Sequence, residues 1–222
     1  MKRTDSALKE AVLRELHWDT RIDASDIHVE VQTGTVTLTG SVGTWATRLA
    51  AQEAAHRVRD VLDVANDLQV RVRAGGERND TDIAHAVRRA LEWDVLVPDT
   101  RILSTVADGW VTLEGDVDYL SQREDAERAI RNLAGVRGVS NELTTLPSRV
   151  LPDEVRSSIE GALERQAERE AKHIQLEVRD GRVILSGVVH SWHERQAVVG
   201  AVKGTPGVRI VDDRLRLEPY SA

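Results

Sequence analysis

The chain contains no cysteine, which excludes disulfides, thiolate nucleophiles, cysteine-ligated zinc and lipid attachment through cysteine in one step. Lysine is almost as scarce, standing only at Lys2, Lys9, Lys172 and Lys203, and the arginines are interspersed with acids to a formal net charge of −7. A surface that displaces counterions from a phosphate backbone needs clustered cations, so no nucleic-acid partner is expected. No apolar run approaches the roughly 20 residues that span a bilayer. The opening stretch, MKRTDSALKEAVLREL, is basic only at its first residues and has no apolar stretch of the secretory kind. As given, the chain is expected in the cytoplasm, or in the periplasm if a leader has been removed. Phosphate-loop chemistry is also excluded, because GAVKGTPG from Gly200 places its lysine before the second glycine.

What is present is the balance of a folded globular protein, 41% apolar and 30% charged, and a threefold internal repeat. GTVTLTG from Gly34, GWVTLEG from Gly109 and GRVILSG from Gly181 begin 75 and 72 residues apart. The same two offsets align the surrounding sequence without a gap. Leu16, Leu91 and Leu163 correspond, as do Ile27, Ile102 and Ile174, then Arg48, Arg123 and Arg195, then Leu68, Leu143 and Leu215. Self-similarity of this length makes each repeat one structural unit.

The apolar period changes within the unit and so gives its secondary structure. Leu8, Val12 and Leu16 recur at helical spacing, as do Ile83, Val87 and Leu91, and Val155, Ile159 and Leu163, with Ser6, Thr81 and Asp153 as expected N-caps. Ile27, Val29 and Val31 alternate, and after a turn Val36, Leu38 and Val42 alternate again, which predicts a hairpin. Its turns are Thr33-Gly34, Asp108-Gly109 and Asp180-Gly181. Gly40, Gly115 and Gly187 interrupt the second strand, where a bulge or a close approach by the following helix is expected. Ala51, Ala54, Ala55 and Val58 then resume helical spacing, and Val64, Leu68, Val70 and Val72 form a third strand. Strand, helix, strand in succession favours a right-handed crossover that sets the third strand parallel to the second.

The expected fold class is therefore α+β: three tandem αββαβ modules over residues 1–73, 79–147 and 151–219, each a three-stranded mixed sheet packed against two helices. A unit this small buries only about 60% of the surface its unfolded chain exposes, so the copies are expected to lean on one another. The polar linker RAGGERN from Arg73 reads as flexible, and LPSRVLP from Leu146, with Val150 and Leu151, as a packed connection.

A module of this order, with a central G-x-V-x-L-x-G strand, an arginine early in the next helix and a closing G-V-x-x-V-x-N-x-L, resembles the BON domain. The closing motif stands as DVLDVANDL from Asp60, GVRGVSNEL from Gly135 and GVRIVDDRL from Gly207, with Asp213 where the others have Asn66 and Asn141. The resemblance covers nearly the whole chain, three times. It implies a non-enzymatic binding protein of a stress or envelope type that binds phospholipid surfaces. The alternative it leaves open is a cytosolic scaffold or sensor of a monovalent, potassium-like cation that acts through protein partners.

No catalytic residue, metal ligand set or cofactor is expected, because no convergent polar constellation survives comparison between copies. His17, His28, His56, His85 and His173 lack counterparts and read as surface residues, and His190 with His193 lacks the further ligands that a metal needs. Arg48, Arg123 and Arg195 are the only charged side chains shared by all three copies. Each either caps carbonyls or pairs with a carboxylate at the sheet, or binds an anionic headgroup. Trp45, Tyr119 beside Leu120, and Trp192 mark the junction of strand two with helix two. There they staple the helix, insert at a membrane or hold a partner. Trp18 and Trp93 follow helix one and are expected to pack on the sheet. An anionic lipid would be met by the third copy, through Arg179, Arg182, Lys203, Arg209, Arg214 and Arg216. Residues 152–218 carry eleven bases against twelve acids, whereas residues 80–146 carry seven against thirteen.

Overall fold

The computed structural model describes residues 4–71, 78–146, 152–166 and 174–218, leaving aside the side chains of 152 and 162–166. Most of both linkers, residues 73–77 and 147–151, together with Val72, the Leu163 side chain and His173, lie outside the described residues. The first module runs α1 (Asp5–Trp18), β1 (Ile27–Gln32), β2 (Thr35–Val42), α2 (Trp45–Arg57) and β3 (Asp63–Val70). The second runs α3 (Asp80–Trp93), β4 (Ile102–Ala107), β5 (Trp110–Val117), α4 (Leu120–Ile130), β6 (Gly138–Asn141) and β7 (Thr144–Thr145). The third runs α5 (Pro152–Gln166), β8 (Ile174–Arg179), β9 (Arg182–Val189), α6 (Trp192–Lys203) and β10 (Ile210–Leu217).

Each sheet has the middle strand at its centre. β1 pairs antiparallel with β2 and β3 pairs parallel with β2, and β8, β9 and β10 repeat this arrangement. In the second module the parallel strand comes in two pieces, β6 and β7, both paired with β5. The crossover helix covers one face of the sheet beside the first helix, and the repeated apolar positions meet there. Val12, Leu16, Val36, Leu38, Ala51 and Ala54 are fully buried, as are Val87, Leu91, Val111, Leu113 and Ala126, and Ile159, Val183, Leu185 and Val202. Each buried aliphatic of Val or Leu size contributes about 1.5–3 kcal/mol.

Two local devices set the register. Thr33-Gly34, Asp108-Gly109 and Asp180-Gly181 all hold positive φ at both residues, the backbone of the two-residue turn that matches strand twist. In two modules a carboxylate from helix one holds this turn. Asp5 accepts from the Thr33 and Gly34 N–H groups at 2.9 and 3.3 Å, and Asp80 from those of Asp108 and Gly109 at 2.8 and 2.9 Å. The N-caps therefore lie earlier than the sequence reading put them. Thr4 and Asn79 cap α1 and α3, where their side-chain oxygens meet the N–H groups of Ala7 and Asp82. The aspartates that follow are free to reach the turn.

Gly40 and Gly115 also depart from expectation in what approaches them. A side chain there would meet the Asp26 and Arg101 carbonyls at 1.9 and 2.1 Å. The close neighbour is thus the backbone leading into the first strand, not the following helix.

In the first module Asp19 joins the two helices. Arg21 donates to it at 2.8 and 2.9 Å and Arg57 at 2.8 Å, while Arg57 also reaches Glu15 and Arg21 reaches Glu53. The Arg21 guanidinium, aided by Arg57, holds the Asp19 carboxyl well below the usual carboxylate range. A depressed folded-state value stabilises the module above the unfolded carboxyl's titration and is lost as pH falls through and below it. Asp19→Asn is accordingly expected to lower urea stability by about 1–3 kcal/mol at pH 7. That deficit is expected to shrink below about pH 4; a deficit constant down to pH 3 would remove the charge from the explanation.

Candidate functional site

The three shared arginines are engaged inside their modules. Arg48 donates to the Asn66 carbonyl at 2.6 Å, and Asn66 Nδ2 returns a bond to the Arg48 carbonyl at 2.9 Å. Arg123 and Asn141 repeat the exchange at 2.5 and 2.7 Å. In the third module Asp213 replaces the asparagine, and Arg195 Nε meets its carboxylate at 2.8 Å. The clasp ties helix two to strand three. Arginine and partner are 18 residues apart in every copy, a spacing visible in sequence but overlooked when the arginine is read alone.

The junction residues do something the sequence reading missed. Trp45, Leu120 and Trp192 are equivalent positions at the start of helix two, and each touches a different module from its own. Trp45 packs against the second module's core, its ring 6.2 Å from that of Trp110. Leu120 is buried within the third module's core, and one turn later Glu124 meets Lys203 of α6 at 2.5 Å. Trp192 stacks on His56 of the first module, with ring centroids 3.7 Å apart and planes within 6°. The contacts run from first module to second, second to third and third to first, a heterologous head-to-tail order that closes on itself. His56 is consequently buried at 7% exposure, not the surface residue expected. Arg48 and Arg195 lie over the rings of Trp45 and Trp192, which links the clasp to the seat. Tyr119, beside Leu120, is 46% exposed.

The cationic candidates of the third module are scattered among acids. Arg179 pairs with Glu177 at 2.5 Å, Arg214 with Asp212 at 2.7 Å, and Lys203 is taken by Glu124. Arg179 and Arg182 stand opposite each other across β8 and β9. Arg209 donates to the Asp180 carbonyl. His190 Nδ1 lies 2.7 Å from the Glu218 carbonyl, and among the described residues no group of three or more His, Asp or Glu is placed to hold a metal ion.

Trp18 and Trp93 overturn their expectation outright. They end α1 and α3 at equivalent positions and are 79% and 84% exposed. Beyond Trp93, the Asp94 carboxylate accepts from the Leu96 N–H at 3.0 Å and the Asp94 carbonyl from the Val97 N–H at 3.0 Å. This tight turn buries Val97 and presents Val95 and Leu96, 95% and 58% exposed. Packing on the sheet was the expectation for both; they stand two residues past the buried Leu16 and Leu91, about 200° further round the helix, where it has turned them outward.

A profile of the BON domain matches residues 4–72, 79–147 and 153–219. The chain belongs to the BON domain family. A curated relative, osmotically-inducible protein Y of Escherichia coli (strain K12), is 32% identical over 145 residues, which make up 64% of this BON chain and 72% of that protein. Solved structures of CdsD, a structural protein of the type III secretion system of Chlamydia trachomatis, align at 13% identity over 97% of this chain and 94% of that one. Their TM-score is 0.29, and that of the CdsD C-terminal domain is 0.28 at 14% identity. Among the described residues no helix is long and apolar enough to cross a membrane.

The clasp makes a distinguishable prediction. Arg48→Met, which keeps the stem and removes the guanidinium, should cost about 1–3 kcal/mol in urea unfolding. Asn66→Asp, which copies the third module, should cost clearly less. Equal losses would show that Asp213 is no substitute for the asparagine.

Proposed function

We propose that this BON protein is a non-catalytic binding protein of osmotic or envelope stress that docks on phospholipid surfaces. The observation that carries the reading is the pair of exposed tryptophans at one repeated position, Trp18 and Trp93, the latter backed by exposed Val95 and Leu96. Indole rings favour the boundary between headgroups and acyl chains, and neighbouring aliphatics add burial there. The name of the Escherichia coli relative supplies the osmotic setting.

Charge decides how such docking would behave. The second module, with seven bases against thirteen acids over residues 80–146, is repelled by anionic headgroups, and that repulsion falls within a Debye length. Apolar insertion is the driving force in this reading. The cations named from sequence, Arg179, Arg182 and Lys203, with the arginine clasp, would be secondary to it.

Phosphatidylcholine vesicles are expected to sediment the protein and to shift its tryptophan emission to the blue, with no loss on adding salt. The double change Trp93→Ser and Leu96→Ser should weaken the association at least about tenfold, the equivalent of 1.4 kcal/mol. Binding restricted to anionic vesicles and abolished by salt would move the contact to the third module's arginines. No sedimentation with either vesicle would end the lipid reading.

A further inference from the structure

The three seats are not built alike. Leu120 lies inside an apolar core and Trp45 packs against one, whereas among the described residues no side chain of the third module joins the first module's core. The third-to-first seat is instead the His56–Trp192 stack, in which the buried His56 Nδ1 has no hydrogen-bond partner. A cleft of about 710 Å³ runs beside it, lined by residues of both modules including Val58, Asp60, His193 and Gln196. This is also the only seat of the three whose two modules are not consecutive in the chain.

We propose that the contact between Trp192 and His56 is an acid-released latch, which opens the seam between the first and third modules while each module stays folded. A proton entering the closed stack would place a charge in a desolvated site beside another cation. The groups around His56 act in opposite directions. Burial disfavours the charged ring most, Asp63 at the start of β3 favours it and Arg195 on α6 adds to the opposition, so the ring is held down to about 4 against its ordinary 6.5. Also lining the cleft are Glu53 and Arg57 on α2, Arg59 and Asp60 after it, His190 between β9 and α6, and His193 and Glu194 at the start of α6. Arg57 is held by Glu15 and Asp19; Glu194 accepts from the His190 backbone N–H.

A histidine whose folded value lies below its free value leaves the closed form intact above about pH 6.5 and weakens it as pH falls toward 4. With those two values, the ratio of open to closed molecules rises about 30-fold between pH 8 and pH 5. Below pH 4 the effect saturates near about 300-fold.

The test uses the full chain labelled with 5-fluorotryptophan, whose five resonances separate Trp192 from the other indoles by comparison with Trp192→Leu. Between pH 8 and pH 4.5 the Trp192 resonance is expected to move toward the position held by the exposed Trp18 and Trp93. The radius of gyration from X-ray scattering should rise over the same interval with the far-ultraviolet dichroism unchanged. His56→Leu should flatten both responses, and His193→Asn should leave them in place. A Trp192 resonance that does not move in the unaltered chain would overturn the proposal whatever the variants do. So would an unchanged response in a folded His56→Leu protein.

Discussion

The constraint on which this molecule depends is the small size of its repeating unit. A module of about seventy residues buries too little apolar surface to be secure alone, and the chain answers by giving the first residue of each helix two a place on another module. Trp45, Leu120 and Trp192 serve that purpose in turn. The clasp of arginine onto strand three sits directly behind these residues and fixes the helix from which they project.

Much of the fold was legible because the repeat supplies three independent readings of one pattern. Strand alternation, the two helices, the turn pairs and the parallel third strand all followed from apolar period and glycine position. The N-caps were misread because three polar residues in a row, Thr4-Asp5-Ser6 and Asn79-Asp80-Thr81, compete for that role. The contact that decides between them, a carboxylate reaching the hairpin turn from Asp5 or Asp80, is long-range.

The site was less legible for a related reason. Sequence marks that a tryptophan recurs at a junction, but not which neighbour it meets. The seats of Trp45 and Trp192 involve Trp110 and His56, residues that lack counterparts in the other copies and so carry no repeat signal. The exposure of Trp18 and Trp93 depends on helical phase, two residues beyond Leu16 and Leu91. Copies that diverged at their contacts while holding their cores constant leave the core readable and the contacts hidden.

The account stands on the modules being mutually supported, and calorimetry of the unaltered chain against Leu120→Asp tests it most directly. Placing a carboxylate in the third module's core from outside that module should lower the melting of the third module alone and detach it from the rest as a separate, earlier transition. A Leu120→Asp protein melting with the same profile and temperature as the parent would contradict the account.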